Sequence, residues 1–325
     1  MSVGAVVIGR NEGERLKACL RSLAGVPTVY VDSGSTDGSQ DFAGSVGVEV
    51  VALQVPPAFT AARARNEGLA RLREIMPEIG FVQFVDGDCE VEAGWIAAGL
   101  KALRGDQELG GVFGRRRERF PESSLYNRMC DQEWDVPIGP TPATGGDALF
   151  RAEALAQVGG YNPELIAGEE PDMCLRMGRH GWRFRRIDAA MTVHDAGLFR
   201  FGQWWRRATR AGYAAAEHVA RHGRAGLPSD RGQVARSLIY GGLLPLVAVF
   251  ALVAGWPVVS LLILLLYVAR WVRLWGRERW WTASKAQAQR AALLRLAHQF
   301  AGMQGFLSYW ADRLRGRKRA IIEYR

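Results

Sequence analysis

The chain is poor in cysteine. Among 325 residues it has Cys19, Cys89, Cys130 and Cys174 alone. No two of them fall at a C-x-x-C or other metal-ligand spacing, which removes a zinc ribbon or dithiol redox motif from consideration. Four scattered thiols fit a reducing compartment better than a disulfide framework. Near the start there is no basic stretch followed by a long apolar run and a small-residue cleavage site. The expectation is no secretory signal and a first domain that stays in the cytoplasm. Charge is missing altogether from residues 237–269, and acidic residues are scarce after position 230. Residues 231–325 carry 15 Lys and Arg against 3 Asp and Glu, which leaves 27 against 30 in residues 1–230. The net charge of +9 therefore belongs to the last third. A basic tail serves nucleic acid or anionic lipid. No nucleic-acid module is recognisable, so lipid is the expected acidic partner and nucleic acid is not.

The first 120 residues alternate strand-like and helix-like patterns. Val3–Ile8, Val29–Val31, Val48–Leu53 and Phe81–Val85 read as buried strands, and Gly111–Phe113 begins a fifth. Leu16, Leu20 and Leu23 recur at helical spacing, with Asn11 and Glu14 as a capping box. Phe59–Leu72 and residues 93–103 are further helices. Glu170-Pro171 marks a helix start, since Pro fits the first turn, and the helix continues through 172–179. Trp182–Ile187 follows as a strand. Alternating strands and helices predict an α/β fold, with a mostly parallel sheet covered on both faces. Ligands bind such sheets beyond the carboxyl ends of the strands, so the polar groups there are the ones to weigh.

The uncharged run of 33 residues is split by Gly255-Trp256-Pro257. Ser237–Ala254 is about 27 Å long as a helix, near the roughly 30 Å of a bilayer core. Val258–Trp275 is a second segment. Arg231 and Arg236 lie before the pair, and Arg273, Arg277 and Arg279 after it. The positive-inside rule then predicts a helical hairpin with both ends in the cytoplasm. A buried hairpin of a soluble core is the alternative, and the short turn also permits a re-entrant hairpin. Downstream, Leu293, Leu296, Phe300, Met303, Leu307, Trp310 and Leu314 share one helical face. With Arg315, Arg317, Lys318 and Arg319 beyond them, they predict a helix lying on an anionic membrane surface. Packing on the chain's own α/β domain is the competing expectation. The organisation expected is an α/β domain over 1–200, an interfacial linker over 201–236, the hairpin over 237–275 and a basic surface tail over 276–325.

Asp86-Gly87-Asp88 is the sharpest chemical signal, because it follows the apolar run Phe81–Val85. Residues i and i+2 of extended chain point the same way, so two carboxylates can face one metal ion. Such an ion neutralises a departing diphosphate. Asp32-Ser33-Gly34-Ser35-Thr36-Asp37 follows another strand and can approach a nucleoside. It can equally be an ordinary turn, with Ser35 as N-cap and Asp37 in the first helical turn. Arg65 can reach a phosphate or a base. Gly168-Glu169-Glu170-Pro171-Asp172 gathers three acids at a helix start, where capping and the helix dipole already favour them. Functionally, one of them is a candidate general base.

Val6-Val7-Ile8-Gly9-Arg10-Asn11-Glu12, Val31 to Gly38, Ala64-Arg65-Asn66-Glu67-Gly68 and Asp86-Gly87-Asp88 resemble family 2 inverting glycosyltransferases in order and spacing. Thr144-Gly145-Gly146-Asp147-Ala148-Leu149-Phe150-Arg151 and Gly168 to Arg176 continue the resemblance, which covers residues 3–200. It implies the GT-A fold, a Rossmann-like nucleotide-binding domain. It also implies Asn11, Glu12, Asp32, Ser33, Arg65 and Asp86 around a nucleotide-sugar, and Mn2+ or Mg2+ near Asp86 and Asp88. His194 falls where some relatives place a metal or diphosphate ligand, or is simply structural. Glu170 aligns with the family's base, with Asp172 and Glu169 as neighbours in that role. Ser33 stands where a second Asp often binds the base, so the nucleotide is open, with a UDP-sugar as the expected donor. Gly146, Asp147, Gln203 and Arg206 fall on the acceptor side. Gln203-Trp204-Trp205-Arg206-Arg207 partly resembles the Gln-x-x-Arg-Trp element of processive synthases. Arg207 replaces the Trp, which argues against polymer extrusion.

The expected activity is an inverting sugar transfer to a lipid-linked, saccharide or membrane-proximal acceptor, at the cytoplasmic face of the cytoplasmic membrane. Two rivals stand beside it. A nucleotidyltransferase would carry a basic Gly-rich loop after its first strand, which Gly9-Arg10-Asn11-Glu12 does not resemble. A non-catalytic nucleotide-binding membrane scaffold would keep the fold without turnover.

Overall fold

The computed structural model describes residues 2–316. Arg317, Lys318 and Arg319 of the basic tail lie outside the described residues. The chain divides into two compact units. One comprises residues up to Phe120 with Glu133–Ala196. The other comprises Pro121–Gln132 with the residues from Gly197 onward. Residues 121–132 are thus grouped with the second unit, where the sequence reading put them in a first domain ending at 200.

In the first unit the strands are β1 (Ser2–Gly9), β2 (Thr28–Asp32), β3 (Glu49–Ala52), β4 (Ile79–Asp86), β5 (Cys89–Val91), β6 (Leu109–Glu118), β7 (Gly139–Thr141), β8 (Ala148–Arg151) and β9 (Arg183–His194). They form one sheet in the order β3-β2-β1-β4-β8-β6-β9-β5, with β7 added on β9. The first four run parallel. β8 is antiparallel to both neighbours, whereas β6 and β9 are parallel. β2 is buried along its whole length and β4 nearly so, which is why both read as almost continuous apolar runs. Helices α1 (Glu14–Ser22), α2 (Ser39–Ser45), α3 (Ala61–Ile75) and α4 (Trp95–Gly105) follow in chain order. α5 (Leu125–Trp134) lies mostly in the second unit, whereas α6 (Ala152–Gln157) and α7 (Glu169–Arg179) complete the α/β pattern.

Register explains how distant acids meet. Ile8 pairs with Asp86 and Gly9 with Asp32, so the loops after β1, β2 and β4 leave the sheet at one edge. Cys89 pairs with His194, which brings β9's last residue beside Asp88. Glu118 pairs with His194 from the other side.

Two local expectations are corrected. Asn11 and Glu14 do not form a capping box: Gly13 is the N-cap of α1, and Asn11 turns with φ 54. Its Oδ1 accepts from Thr36 N at 2.8 Å and its N donates to Ser35 Oγ at 2.9 Å, so it ties two loops together. Ser35 is therefore not an N-cap, and Asp37 lies before α2 rather than in it, accepting from Ser39 N at 3.1 Å. By contrast Thr60 caps α3 by accepting from Arg63 N, also at 3.1 Å.

The second unit is helical. Its main elements are α8 (Phe201–His222) and three long helices over Pro228–Val253, Pro257–Glu278 and Lys285–Leu314. The first of the three begins well before the uncharged run and winds in wide turns over Ser237–Leu243. Pro245 accounts for this: it has no N–H for the carbonyl of Gly241, and its ring crowds that turn. Two of these helices, Pro228–Val253 and Pro257–Glu278, are long and apolar enough to cross a membrane, and they leave most side chains exposed. The Lys285–Leu314 helix buries Ala288, Ala291, Ala292, Ala301, Gly302 and Gly305. A Cβ on Gly302 would meet Ser237 Oγ at 2.4 Å, and one on Gly305 would meet Thr209 O at 2.1 Å. Of the apolar face read from the sequence, Leu293, Phe300, Leu307, Trp310 and Leu314 are exposed, and Leu296 and Met303 half-buried. The helix packs within its own unit through its small residues and turns its large ones outward.

Candidate active site

Asp86 closes β4, and its carboxylate meets two arginines. Arg65 Nη2 donates to Oδ1 at 2.7 Å, and Arg116 Nη2 lies 3.4 Å from Oδ2. Arg65 is 3% exposed and also donates through Nη1 to Glu169 Oε1 at 2.7 Å. One guanidinium thus joins the end of β4 to the start of α7. Its underside lies on the ring of Tyr161, 5.5 Å from the centroid. Gly146 covers the Arg65–Asp86 pair. A Cβ there would lie 2.9 Å from Arg65 Nη2 and 3.0 Å from Asp86 Oδ2, so only glycine lets the chain pass so close.

Asp147 sits behind this layer. It is buried, accepts from Asp86 N at 2.9 Å through Oδ1 and from Thr192 Oγ1 at 2.9 Å through Oδ2. Asp147 holds Asp86 in place and offers no oxygen to an acceptor, which corrects its expected role. Gly146 likewise belongs to the Arg65–Asp86 layer.

Asp88 faces the other way. Its Oδ2 is 3.1 Å from His194 Nε2, and its Oδ1 accepts from Cys89 Sγ at 3.4 Å. Glu118 Oε2 stands 3.7 Å from His194 Nδ1, and Trp134 packs edge-on to the imidazole at 4.7 Å. Burial, the largest influence, pushes the His194 pKa down and Arg116 adds to it, yet the charge and hydrogen bond of Asp88 together with Glu118 leave the imidazole above its ordinary value. Asp88, Cys89 and His194 bring ligand atoms within 4.8 Å of one another, as do Asp86, Cys89 and Asp147. In the second group both aspartates already serve Arg65, Arg116, Thr192 and a backbone N–H. Burial pushes the Cys89 thiol well up, and a thiol is a poor donor for a hard ion. The pair that fits a divalent cation is therefore Asp88 and His194, an oxygen and a nitrogen facing each other.

Asp32 is completely buried at the end of β2. Its Oδ2 accepts from Gly34 N at 2.9 Å, Ser35 N at 2.8 Å and Gln40 Nε2 at 2.8 Å, and its Oδ1 from Tyr30 Oη at 2.8 Å. Asp32 shapes the loop and leaves Ser33 and Gly34 to present it, a correction to its expected contact with a nucleoside. Glu12, paired with Arg15 at 2.8 Å, lies with Asn11 in the neighbouring loop.

The three acids of α7 have separate tasks. Glu169 holds Arg65. Asp172 is buried and accepts from Arg176 Nε at 2.8 Å, while Arg176 also bonds Val158 O and Gly160 O. Asp172 is thus paired with an arginine that braces a loop. Glu170 is buried, and its Oε1 accepts from Thr144 N at 2.6 Å and Thr144 Oγ1 at 2.9 Å. Burial pushes its pKa up, against the pull of its hydrogen bonds.

In the second unit Gln203 caps its own helix. Its Oε1 accepts from Phe199 N at 3.0 Å and Arg200 N at 2.9 Å, so the amide is not free for an acceptor as expected. Arg206 is exposed. Sequence reasoning missed Arg116, Thr144, Tyr161 and Thr192. Arg116 carried a usable signal: in Arg115-Arg116-Arg117 on a strand, the middle residue faces opposite to its neighbours.

A glycosyl transferase family 2 model matches residues 5–156, and a glycosyl transferase family group 2 model matches residues 116–274. The pre-mycofactocin glycosyltransferase of Mycobacterium tuberculosis is 28% identical over 233 residues, 68% of this chain and 48% of its own length. Succinoglycan biosynthesis protein ExoA of Rhizobium meliloti is 25% identical over 199 residues, 57% of this chain and 60% of its own. The chain thus spans about half to three-fifths of the curated relatives it matches. Among solved structures, the mannosyltransferase PcManGT of Pyrobaculum calidifontis, in complex with GDP-Man and Mn2+, superposes with a TM-score of 0.58. Identity is 20%, over 91% of this chain and 86% of that one, a likeness of fold.

Proposed function

We infer that the chain is a family 2 glycosyltransferase, since family models of that group match residues 5–156 and 116–274. The reading is that it moves a sugar from a nucleotide-diphosphate sugar to an acceptor hydroxyl, with inversion. The observation that carries it is the Arg65 bridge, 2.7 Å to Asp86 at the β4 end and 2.7 Å to Glu169 at the start of α7. It ties a charged pocket for a diphosphate to a helix start that holds a buried carboxylate.

Asp88 and His194 would hold a divalent cation, which when bound supplies positive charge to a departing diphosphate. The imidazole favours Mn2+ over Mg2+, since nitrogen donors suit transition ions. Arg65 and Arg116 orient Asp86 and add positive charge to the same pocket. The loops of Asn11–Glu12 and Ser33–Gly34 take the nucleoside, with UDP-sugars the first donors to test and GDP-sugars the second. Glu170 takes the proton from the acceptor hydroxyl as it attacks the sugar carbon from the face opposite the leaving group.

The exposed apolar helices support membrane attachment, with the basic ends of the hairpin on the cytoplasmic face. A lipid-linked or membrane-proximal acceptor follows, as in surface-polysaccharide or glycolipid assembly. The name of the ExoA relative, from succinoglycan biosynthesis, agrees with that setting. The anomeric configuration of the product, read by NMR from an α-linked donor, tests the reading. A β-linked product is expected, and retention would contradict it.

A further inference from the structure

Glu170 is held asymmetrically. Thr144 N at 2.6 Å, Thr144 Oγ1 at 2.9 Å and Cys174 Sγ at 3.0 Å all donate to the same oxygen, Oε1. Thr144 comes from the loop that continues into Gly145-Gly146 over the Arg65–Asp86 pair. Cys174 lies one turn along α7 from Glu170, so its thiol reaches back by the i, i+4 geometry of a helix. Three donors on one oxygen fix the plane of the carboxylate. The charged or ionisable groups around it are Glu169 and Cys174 on the same helix, Arg65 on α3, and Tyr161, whose buried hydroxyl has no hydrogen-bond partner.

Building on Glu170 as the base, we propose that Thr144 and Cys174 are positioning residues. They saturate Oε1 and reserve the other oxygen of Glu170 for the acceptor proton. Neither touches the reacting atoms. Donors to a carboxylate favour its ionised form, while burial and the Glu169 charge oppose it. Without one donor, the base needs a higher pH to work. Cys174 is also a buried thiol whose own ionisation is pushed well up by burial, so it serves as a neutral donor and not as a nucleophile.

The test is the pH profile of kcat/KM for transfer by the detergent-solubilised full chain. The variants are Cys174→Ala, Cys174→Ser, Thr144→Val, Thr144→Ser and Glu170→Gln. Cys174→Ala and Thr144→Val are expected to move the acid limb up by about one pH unit, with the KM for the donor unchanged. Cys174→Ser and Thr144→Ser restore a donor and return the limb to its original place. Should one of the donor-deleting variants fail to fold, the other carries the same comparison. Unmoved acid limbs in Cys174→Ala and Thr144→Val, with Glu170→Gln inactive, overturn the positioning role alone. Transfer that persists in Glu170→Gln overturns the base assignment beneath it.

Discussion

In the first unit, large apolar side chains are inside and the acids and arginines that matter are half or wholly buried at strand ends. In the second unit the large apolar side chains face out, Leu246 at 70% exposure and Leu264 at 58%, while alanines and glycines fill the helix contacts. The same physics accounts for both. Where water is the solvent, burying large side chains stabilises the fold. Where hydrocarbon is the solvent that gain vanishes, and close packing of small residues holds helices together. The two surfaces thus differ in kind, and the second unit's carries two helices long and apolar enough to cross a membrane; the proposed attachment rests on that difference.

Removing the proposed base, Glu170, should break the chemical half most severely. Glu170→Gln should lower transfer by about 10²–10⁴-fold, measured as initial rate, with the fold retained by circular dichroism. The attachment half breaks at Leu264→Lys. In hydrocarbon this costs about 2.5–3.5 kcal/mol, a loss of roughly 100-fold in membrane partitioning by flotation. At a water-exposed surface it would cost within about 0.5 kcal/mol and change nothing. A smaller effect comes from Gly302→Val, whose Cβ would collide with the side chain of the buried Ser237 and should cost about 1–3 kcal/mol, read by thermal unfolding in detergent. It should leave the donor KM of the first unit unchanged.

The smallest effect sharpens the contrast through pH. Glu170 has its pKa raised by burial, so activity that needs its ionised form should fall away at a pH above the ordinary carboxylate range. The stability sign is opposite. A raised folded pKa means the folded chain binds that proton more tightly. This contribution is present at low pH and lost as pH rises through the folded pKa. A pH–rate profile paired with unfolding midpoints separates the two.

Much of the sheet was legible because β2 and β4 are buried on both faces and read as apolar runs ending in Asp32 and Asp86. Their carboxyl ends marked the site. The division of labour among the acids was not legible. Asp32 and Asp147 look like ligands in sequence, and only the register and the donors around them show that they hold backbone. The Asp88–His194 pair depends on β5 meeting β9, a pairing across 105 positions that local patterns do not encode. The large apolar face of the last long helix was expected on a membrane surface or against the α/β domain, and it is largely exposed; that packing within its unit falls to alanines and glycines was not legible.

The measurement that tests the central claim most directly is release of nucleoside diphosphate from a panel of nucleotide-sugars, with and without Mn2+ or Mg2+. The detergent-purified wild type is compared with Asp88→Ala. Release from a preferred donor is expected to need the cation and to fall at least about 10²-fold in Asp88→Ala. No release from any donor, even with membrane lipid extract as acceptor, or release indifferent to both the cation and Asp88, would contradict the claim.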